Sequence, residues 1–579
     1  MTIQFYLRFH TRMGQELLIA GLPNQQEPLK MSWYNNDYWF ASIELDPMQL
    51  DGFTYHYLLK EDDGRVLHEW GQDRSFHAKW AGFPEIQVVD TWNYAGDYEN
   101  AFYTAPFRKT LLPHSGGKKI RYPGDYTHVF RVKAPLLKKN EVICLLGEST
   151  VLGDWSTDDP ALLKEEDNWW TVAIELPKEG FPLHYKYGIY NTKHKSFVRY
   201  EEGENRQLFG DAGLHLTVVN DGFARLPNNT WKGAGVAIPV FSLRSKQSWG
   251  VGEFTDIELL VDWASTVDLK LIQLLPVNDT TATHTWVDSY PYAAISAFAL
   301  HPIYINVEKV AGKKQAALLK PFKEEHQSLN ALETVDYEAV MELKHKALRR
   351  LFEVMKDQWL EDPDYLEFFE KNRDWLVPYA AFCYLRDIHN SSDFTQWVQH
   401  SSYDAAAIEQ FVSPDGDQYA QILYHYFLQY HLHLQLKEAA DYAHKKGIIV
   451  KGDIPIGIYR YSCDAWVEPG LYNMDMQAGA PPDDFAIKGQ NWGFPTYNWE
   501  RMQRDGFAWW IRRFAQMSEY FDAFRIDHIL GFFRIWSIPL SATEGIMGHF
   551  VPAIPVRVEE FAERGIWFDV NRYTRPYIT

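Results

Sequence analysis

The sequence predicts a multidomain protein in which two all-β sandwich modules precede an incomplete (β/α)8 barrel of the TIM type. Three observations support this fold class. Up to about residue 225, apolar and polar residues alternate in short runs, which is typical of half-buried strands. Within this region a pattern returns after about 130 residues, which indicates two related modules. From Trp231 onward, apolar strand-like runs alternate with helical stretches, as in parallel α/β units.

The first module covers residues 1–110. Its predicted strands include Ile3–Phe9, YWFASIEL from Tyr38 and FTYHYLL from Phe53, and Asp-Gly dipeptides mark turns near them. Residues 111–124 are rich in Gly, Pro and Lys, which predicts a linker.

The second module covers residues 125–225. It contains HVFRVKA from His128, WWTVAIEL from Trp169 and LHYKYGIY from Leu183. The order of WWTVAIEL, YKY and RYEEGENRQL matches that of YWFASIEL, YHY and WGQDRSF in the first module. Because the order and the spacing both return, the two modules are predicted to share one fold.

The barrel domain is predicted over residues 230–579. Strand-like and helical stretches alternate along it. The predicted strands are LKLIQLLPV from Leu269, GIIVKGDIPIGI from Gly447 and YFDAFRIDHIL from Tyr520. The predicted helices are ELLVDWAST, about Val335–Met355, and Tyr419–Lys446. In (β/α)8 barrels the chemistry lies at the C-terminal ends of the strands. The predicted strands end in polar side chains: Asn278 and Asp279, then Asp453, then Arg525, Asp527 and His528.

The length of this domain predicts an incomplete barrel. A complete barrel takes about 250 residues with eight strands. The last predicted strand begins near residue 521, which leaves too few residues for the remaining strand–helix units. We therefore expect that Thr579 is not the natural end of this domain.

Composition and charge exclude several classes of function. The 57 basic and 77 acidic residues give a net charge of −20, which disfavours a nucleic acid partner. Apolar stretches fall short of the roughly 18–20 residues that a membrane span needs, and the first residues carry no apolar signal core. Three widely spaced cysteines, Cys144, Cys383 and Cys463, form no CxxC motif. We expect a cytoplasmic protein without metal, cofactor or membrane partner.

Aromatic residues are numerous, with 22 Trp, 34 Tyr and 35 Phe. Exposed aromatic rings can stack on sugar rings, so this composition is compatible with carbohydrate binding. Large cores with structural tryptophans explain the same composition. Composition alone therefore leaves both explanations open.

The segment FDAFRIDHILGFFRIW, from Phe521, carries the sharpest chemical pattern. Retaining glycosyl transfer needs a carboxylate nucleophile paired with a carboxylic acid. Arg525 lies two residues before Asp527 and so on the same strand face, where it can keep the carboxylate ionised. An ordinary Arg–Asp pair at a strand end is the alternative explanation.

A long segment with little regular pattern follows Gly452. Long irregular loops in compact domains are usually functional. Aromatic residues alternate in it with carboxylates and amides: Trp466, Tyr472, Trp492, Tyr497 and Trp499 with Asp453, Asp464, Asp475, Asp483, Asp484 and Gln490. This mixture favours a glucan groove.

Zinc binding by His425, His431 and His433 is disfavoured, because no carboxylate or Cys lies at ligand spacing.

These motifs carry a family resemblance. SWGVGEF, YPYAAISAFALHP, KGDIPIG, AGAPPDDF, GQNWGFP and FRIDH make residues 230–579 similar to glycoside hydrolase family 77, the 4-α-glucanotransferases or amylomaltases. PPDDF, GQNWGFPTYNW and GIWFDVNRYTRPYI resemble its type 2 disproportionating-enzyme branch.

The resemblance implies a retaining two-step transfer of α-1,4-glucosyl or glucanosyl units. Asp527 is then the nucleophile, Arg525 orients it, and His528 binds hydroxyls of the donor sugar. The remaining substrate-binding residues that it implies are Tyr292 and Asp453 in the donor site and Asp483, Gln490 and Trp492 in the acceptor loop.

Residues 125–215 resemble a family 20 starch-binding module. The resemblance implies sugar binding by Trp155 in LGDW, Lys186 in YKY, Tyr200 and Asn205. The first module lacks an LGDW segment but keeps Trp70 in HEWGQDRSF, so it is predicted to bind starch as well.

The family's acid/base Glu lies in a segment that does not occur in these 579 residues. We therefore expect the chain alone to be nearly inactive. The implied partners are maltose, maltooligosaccharides and branched α-glucans such as glycogen. An α-glucan hydrolase and a non-catalytic glucan-binding protein remain as alternatives.

Overall fold

The computed structural model describes residues 1–47, 51–71, 74–112, 122–177, 180–209, 216–227 and 229–574. Most of the predicted linker, residues 113–121, lies outside these ranges. The chain forms two compact units, residues 1–232 and residues 233–579. None of the helices in the described ranges is both long enough and apolar enough to cross a membrane.

The first unit is built from strands. In chain order these are β1 (Thr2–Arg8), β2 (Glu16–Ala20), β3 (Leu29–Lys30), β4 (Ser32–Trp33), β5 (Tyr38–Glu44), β6 (Phe53–Thr54), β7 (His56–Lys60), β8 (Val66–His68), β9 (Ser75–Phe76), β10 (Glu85–Thr91), β11 (His128–Lys133), β12 (Glu141–Gly147), β13 (Ala161–Leu162), β14 (Lys164–Glu166), β15 (Trp169–Ile174), β16 (Leu183–Asn191), β17 (Ser196–Tyr200), β18 (Arg206–Leu208) and β19 (Leu216–Phe223).

One sheet of eight strands runs through both predicted modules. Its order is β14-β15-β11-β19-β10-β1-β5-β4. The junction is the parallel pair β10–β19, in which Ile86 to Asp90 align with Leu216 to Asn220. The sequence pattern predicts two sandwiches joined by a linker, whereas the structure joins the two halves by backbone hydrogen bonds.

Two smaller sheets cover opposite faces of this shared sheet. Alternate residues along β10 belong to different cores: Val88 packs into the core of the first half, and Val89 into that of the second. The sheet β3-β2-β7-β8 supplies Leu17 and Tyr57 to the first core. The sheet β13-β12-β16-β17 supplies Tyr187 to the second. Because successive side chains of a strand point to opposite faces, one sheet serves both cores.

The first half contains a buried polar network. The hydroxyls of Tyr55 and Tyr57 donate to Asp90 Oδ2 at 2.9 and 2.7 Å. Arg74 donates to both oxygens of Glu69 at 2.8 Å and to Asp90 Oδ1 at 3.0 Å. Burial and the charge of Asp90 raise the pKa of both tyrosines well above the usual value. The network therefore satisfies charges that would be costly to bury singly.

The second half repeats this network about 130 residues later. Tyr185 and Tyr187 both donate to Asp221 Oδ2 at 2.9 Å. Arg206 donates to both oxygens of Glu201 at 2.8 Å and lies 3.4 Å from Asp221 Oδ1. This correspondence, residue for residue, supports the repeat that the sequence pattern predicts.

The second unit mixes strands and helices. Its strands are β20 (Gly235–Ile238), β21 (Leu271–Leu274), β22 (Ile449–Ile454), β23 (Tyr472–Asn473), β24 (Met476–Ala480), β25 (Gln490–Asn491), β26 (Thr496–Tyr497), β27 (Ala523–Ile526), β28 (Ile535–Pro539) and β29 (His549–Val551). Its helices are α1 (Asp256–Thr266), α2 (Val307–Gln315), α3 (Lys323–Asn330), α4 (Tyr337–Leu360), α5 (Pro363–His389), α6 (Ala405–Phe411), α7 (Tyr419–Lys445), α8 (Cys463–Val467), α9 (Trp499–Arg504), α10 (Ala508–Met517), α11 (Val558–Glu563) and α12 (Val570–Thr574).

Four parallel strands form the central sheet of this unit, in the order β20-β21-β22-β27. The three predicted strands near residues 270, 450 and 521 are confirmed as β21, β22 and β27, and β20 is additional. Within the described residues this sheet does not close into a barrel.

The long helices lie where the sequence pattern predicts them, as α4 and α7. Asp336 precedes helix α4 as its N-cap, and its side chain accepts a hydrogen bond from the Ala339 amide. Helix α5 starts with Pro363 and is followed by its C-cap Asn390, which adopts a left-handed conformation with φ of 50°. The segment after Gly452 is less irregular than its sequence predicts, because it contains α8 and strands β23 to β26.

Candidate active site

The candidate active site lies at the C-terminal ends of β22 and β27. These two strands are parallel, and Asp453 aligns with Arg525. The Asp527 amide donates to the Ile454 carbonyl at 3.1 Å, which continues the pairing past the end of β27. Neighbouring parallel strands therefore bring the predicted Asp453, Arg525 and Asp527 together at one sheet edge.

Arg525 bridges the two carboxylates. Its Nη1 donates to Asp453 Oδ1 and Oδ2 at 2.9 and 2.8 Å, and its Nη2 donates to Asp527 Oδ1 at 2.8 Å. A guanidinium offers donors in a fixed planar fork, so it can hold both carboxylates at once. Burial lowers the pKa of Arg525, but the charges of Asp453 and Asp527 outweigh this effect and raise it overall.

The two carboxylates differ in what they can do. The Asp453 side chain is fully buried, and both of its oxygens accept hydrogen bonds from Arg525. The Asp527 side chain is 28% exposed. Within the part of the chain that the structure describes, no hydrogen bond reaches its Oδ2. Asp527 therefore has an oxygen available for attack on a substrate, and Asp453 does not.

Tyr292 lies on the other side of Asp453. Its hydroxyl donates to Asp453 Oδ2 at 3.0 Å. Burial, followed by the charge of Asp453, raises the pKa of Tyr292 to about 12, so the hydroxyl stays protonated and acts as a donor. Burial raises the pKa of Asp453, against the opposing effect of the hydrogen bonds from Tyr292 and Arg525.

Tyr290 also belongs to this cluster, and sequence reasoning did not single it out. Its ring lies 5.7 Å from that of Tyr292, and 60% of the residue is exposed. Burial of the hydroxyl and the charge of Asp527 raise its pKa. The available signal was its place as the first tyrosine of the YPY motif. The same loop is held by Asp288, whose carboxylate accepts hydrogen bonds from the amides of residues 283 and 284.

Trp492 and His528 form one wall of the site. Their rings lie edge to face, 4.9 Å apart. The Trp492 indole donates to Gln490 Oε1 at 3.0 Å and stacks on Phe494 at 5.8 Å. His528 adopts a left-handed conformation with φ of 49°. Burial lowers its pKa, so the imidazole is neutral near pH 7 and can both donate and accept hydrogen bonds.

Three acidic residues of the predicted set have structural contacts of their own. Asp483 is exposed and accepts hydrogen bonds from the amides of Phe485 and Ala486, which forms a local turn. Asp464 is buried and accepts from the Trp509 indole, and burial raises its pKa to about 6. Asp279 is buried and accepts from the Tyr379 hydroxyl at 2.6 Å. No described contact brings these three to Asp527.

Two of the predicted sugar-binding residues of the second module, Trp155 and Tyr200, are in contact. The Tyr200 hydroxyl donates to the Trp155 carbonyl at 3.4 Å. The Tyr200 ring lies 4.7 Å from that of Phe197, whose ring covers Gly188 so closely that a Cβ there would lie 2.5 Å from it. A larger residue at position 188 would displace this aromatic cluster.

Lys186 and Asn205 lie at the loop formed by residues 201–205. Lys186 Nζ donates to the Gly203 carbonyl at 2.5 Å. On the other side of the loop, Arg225 donates to the Glu204 carbonyl at 2.6 Å. Asn205 is exposed at the end of this loop. The structure therefore places Lys186 and Asn205 around one loop beside the aromatic cluster.

Trp70 lies in the first half, next to Glu69 of the buried network. Its carbonyl accepts from Asn93 Nδ2 at 2.9 Å, and its amide donates to the Asn93 carbonyl at 3.1 Å. The positions that correspond to Lys186 and Tyr200 hold His56 and His68, whose rings stack at 5.7 Å. The first half thus has different side chains at the positions that carry the predicted site of the second.

Within the described residues, no group of three or more His, Cys, Asp or Glu side chains could hold a metal ion. Two of the α7 histidines considered above as zinc ligands have other partners. His433 forms a hydrogen bond with the Tyr520 hydroxyl at 2.9 Å, and the His431 ring packs against Phe427 at 4.4 Å.

Comparisons with known proteins identify two families along the chain. Residues 238–567 match the 4-alpha-glucanotransferase family, and residues 127–216 match the starch binding domain family. The 4-alpha-glucanotransferase DPE2 of Oryza sativa subsp. japonica is 38% identical over 100% of this chain and 63% of its own length. The 4-alpha-glucanotransferase of Chlamydia muridarum is 32% identical over 52% of this chain and 56% of its own length.

Among solved structures, amylomaltase from Streptococcus agalactiae in complex with acarbose is 26% identical, with a TM-score of 0.48, and the match covers 57% of this chain and 66% of that one. The chain spans less than two thirds of the length of the two relatives named above. Since the matched region takes in more than half of the chain, and the residues of the site lie within it, the chain belongs to the 4-alpha-glucanotransferase family.

Proposed function

We propose that the protein containing this chain transfers α-1,4-glucosyl or glucanosyl units from maltose or maltooligosaccharides to a glucan acceptor. The observation that carries the proposal is the bridge made by Arg525, which holds Asp453 by both oxygens and Asp527 by one. It leaves Asp527 Oδ2 without a hydrogen bond among the described residues, on a side chain that is 28% exposed, and so available to attack. Membership of the family supports the same reaction.

Asp527 acts as the nucleophile. In the first step its Oδ2 bonds to the anomeric carbon of the donor, the glycosidic C–O bond breaks, and the leaving oxygen takes a proton from a general acid. In the second step the acceptor hydroxyl attacks the same carbon, its proton passes to the conjugate base of that general acid, and the bond to Asp527 breaks. Two inversions give overall retention.

The surrounding residues bind and orient the two sugars. Arg525 fixes the nucleophile, and the neutral His528 bonds to hydroxyls of the donor. Tyr292 and Asp453 line the donor side, while Gln490 and Trp492 hold the acceptor and exclude water, which favours transfer over hydrolysis. Asp483 contributes by shaping the turn of the acceptor loop, through its bonds to backbone amides.

The first unit binds the polymer. The proposed contacts in the second half are stacking on Trp155 and Tyr200 and hydrogen bonds from Lys186 and Asn205. We extend this role to the first half through Trp70, because the two halves share the same buried network. Two linked sites raise the effective concentration of polymer at the active site. Glycogen-like branched glucans are the proposed acceptors, and the three buried, free cysteines agree with a cytoplasmic location.

Within the second unit, we propose that the four parallel strands belong to a (β/α)8 barrel. Their spatial order follows their order along the chain, and at least one helix separates each strand from the next, as in that fold.

A trapping experiment tests the nucleophile. The chain is incubated with an α-maltosyl fluoride that carries a second fluorine at C5 of the reacting ring. Fluoride leaves without a proton, so the test does not depend on the general acid. We expect a covalent adduct on the peptide that contains Asp527, and none with Asp527→Asn. An adduct on Asp453 or on another carboxylate would contradict the assignment.

Transfer is tested separately, in the gene product that carries this sequence. With maltose as the substrate, transfer yields glucose and longer chains, whereas hydrolysis yields glucose alone. Longer chains are the expected product. Glucose alone would identify a hydrolase, and an unchanged mixture would identify a binding protein.

A further inference from the structure

A groove of about 580 Å³ lies at the junction between the two halves of the first unit. Its size falls in the range of about 300–1,000 Å³ that is usual for small-molecule sites. Both halves line it, so neither half forms it alone. The residues assigned above to sugar binding meet this groove at one point, Asn205.

The parallel pairing of β10 with β19 creates the groove. Asp90 and Asn220 are the last aligned residues of the two strands. Because the strands are parallel, residues 91–99 and 221–225, which follow these aligned positions, lie at the same end of the sheet. These segments form two sides of the groove, and residues 205–209 contribute a third.

Aromatic side chains line the groove and face solvent. Tyr94 is 52% exposed and Phe209 is 51% exposed. The Tyr94 ring is supported from behind by Phe9, whose ring lies stacked 6.1 Å away. Trp92 is buried at the base, with its ring 4.8 Å from that of Phe9. Supported, exposed rings offer flat apolar surfaces for a ligand with an apolar face.

The polar groups favour an uncharged ligand rich in hydroxyls. Asp97 and Glu99 line the groove with Asn205, and these side chains accept hydrogen bonds. The carboxylates disfavour an anion. Arg225 is engaged with the Glu204 carbonyl at 2.6 Å and with Glu201 at 3.5 Å, so its charge is already balanced.

The loop of residues 201–205 connects the groove to the proposed sugar site of the second half. Tyr200 directly precedes this loop in the chain, and Lys186 donates to its Gly203 carbonyl. Arg225 holds it from the side of the groove. A linear ligand that leaves the aromatic cluster near Tyr200 can therefore cross Asn205 and continue into the groove.

We propose that the groove binds a segment of α-1,4-glucan, as a continuation of the chain held at Trp155 and Tyr200. This inference rests on the proposed polymer binding by the first unit. The groove stacks sugar rings on Tyr94 and Phe209 and bonds their hydroxyls to Asp97 and Asn205. The first unit then prefers glucans that are long enough to reach both surfaces.

Hydrogen exchange of the full chain, with maltotriose or maltoheptaose added, tests this proposal. We expect maltotriose to protect peptides around Trp155 and Tyr200 only. Maltoheptaose should also protect the segments 91–99 and 221–225. Exchange reports on each peptide separately, so binding at the second unit does not interfere.

Substitutions in the groove separate stacking from folding. Tyr94→Ala should weaken the protection of the groove by maltoheptaose about tenfold in ligand concentration, because it removes an aromatic face. Tyr94→Phe, the matched control, keeps that face and should bind as the unsubstituted chain does. Thermal unfolding of both variants checks that the unit remains folded.

The outcomes distinguish the two proposals. Protection around Trp155 without protection of 91–99 by either sugar would overturn the groove and leave polymer binding intact. Protection at neither surface would overturn polymer binding by this unit, and the groove with it. Equal binding of maltoheptaose by Tyr94→Ala and Tyr94→Phe would overturn the stacking role.

Discussion

Replacing Arg525 with lysine tests the electrostatic design of the candidate site. Arg525 makes three hydrogen bonds to two carboxylates, with donor–acceptor distances of 2.8 to 2.9 Å. A lysine ammonium is a point charge that cannot span both acceptors in this geometry. We expect it to remain with Asp453, which is fully buried, and to leave Asp527 without its donor.

The expected loss of rate follows from the loss of the hydrogen bond between Arg525 and Asp527. A hydrogen bond to a charged group contributes about 1.5–3 kcal/mol. Because the Arg525 side chain is 40% exposed, we take about 2 kcal/mol, toward the lower end of that range. This corresponds to a roughly 30-fold slower attack by Asp527, at about 1.4 kcal/mol per factor of ten.

The assay is the rate at which the maltosyl adduct forms on the Asp527 peptide, followed by mass spectrometry. Arg501→Lys is the matched control, since Arg501 pairs with Asp505 at 2.9 Å on the surface of the same unit. The control should react at the rate of the unsubstituted chain. An unchanged rate in Arg525→Lys would refute the reasoning, because the second donor of the guanidinium would then be dispensable.

Three further predictions follow from other parts of the structure. Trp492→Ala should raise the ratio of hydrolysis to transfer in the gene product, because the Trp492 ring packs against His528 in the wall of the site. The ratio is measured as glucose against longer chains. Phe485→Ala, the control, removes the exposed ring of the same loop and should leave the ratio unchanged. Burial lowers the pKa of His431 to about 4, below its usual 6.5, so it stabilises the fold above pH 6.5 and this contribution is lost as the pH falls through 4. His431→Leu should therefore reduce the loss of stability between pH 6.5 and 4 by up to about 3 kcal/mol in chemical denaturation, and an identical pH profile would contradict this. Tyr57→Phe and Tyr187→Phe should each cost about 1–2 kcal/mol of unfolding free energy, because each leaves a buried aspartate with one donor fewer, and strongly unequal costs would argue against equivalent networks.

Much of the fold follows from sequence pattern. The periodicity of apolar residues locates β21, β22 and β27, and the amphipathic runs locate α4 and α7. Strand β20 escaped prediction because it has only four residues, GVAI, of which none is fully buried. The shared sheet escaped prediction as well. Pairing between β10 and β19 joins residues 130 positions apart, and no local pattern encodes such a partner.

The candidate site was predictable to a similar degree. Strand ends and motif resemblance indicated Asp453, Arg525 and Asp527, which the structure brings into contact. The pattern could not separate these from Asp279, which also follows a strand, or from Asp464, which lies in the segment after β22. Their hydrogen bonds to Tyr379 and Trp509 come from helices distant in sequence, so only the folded chain reveals their structural role.

The continuous sheet of the first unit has a consequence for the solubility of its parts. Strands β10 and β19 each have a neighbouring strand on both sides. Their pairing with each other satisfies the backbone donors and acceptors on the edges that face each other. Separating the halves would turn each into an edge strand, with unpaired amides and carbonyls open to other chains. Isolated halves should therefore aggregate more readily than the intact unit. We also expect the intact unit to unfold in a single transition, because neither half can leave without breaking the β10–β19 pairing.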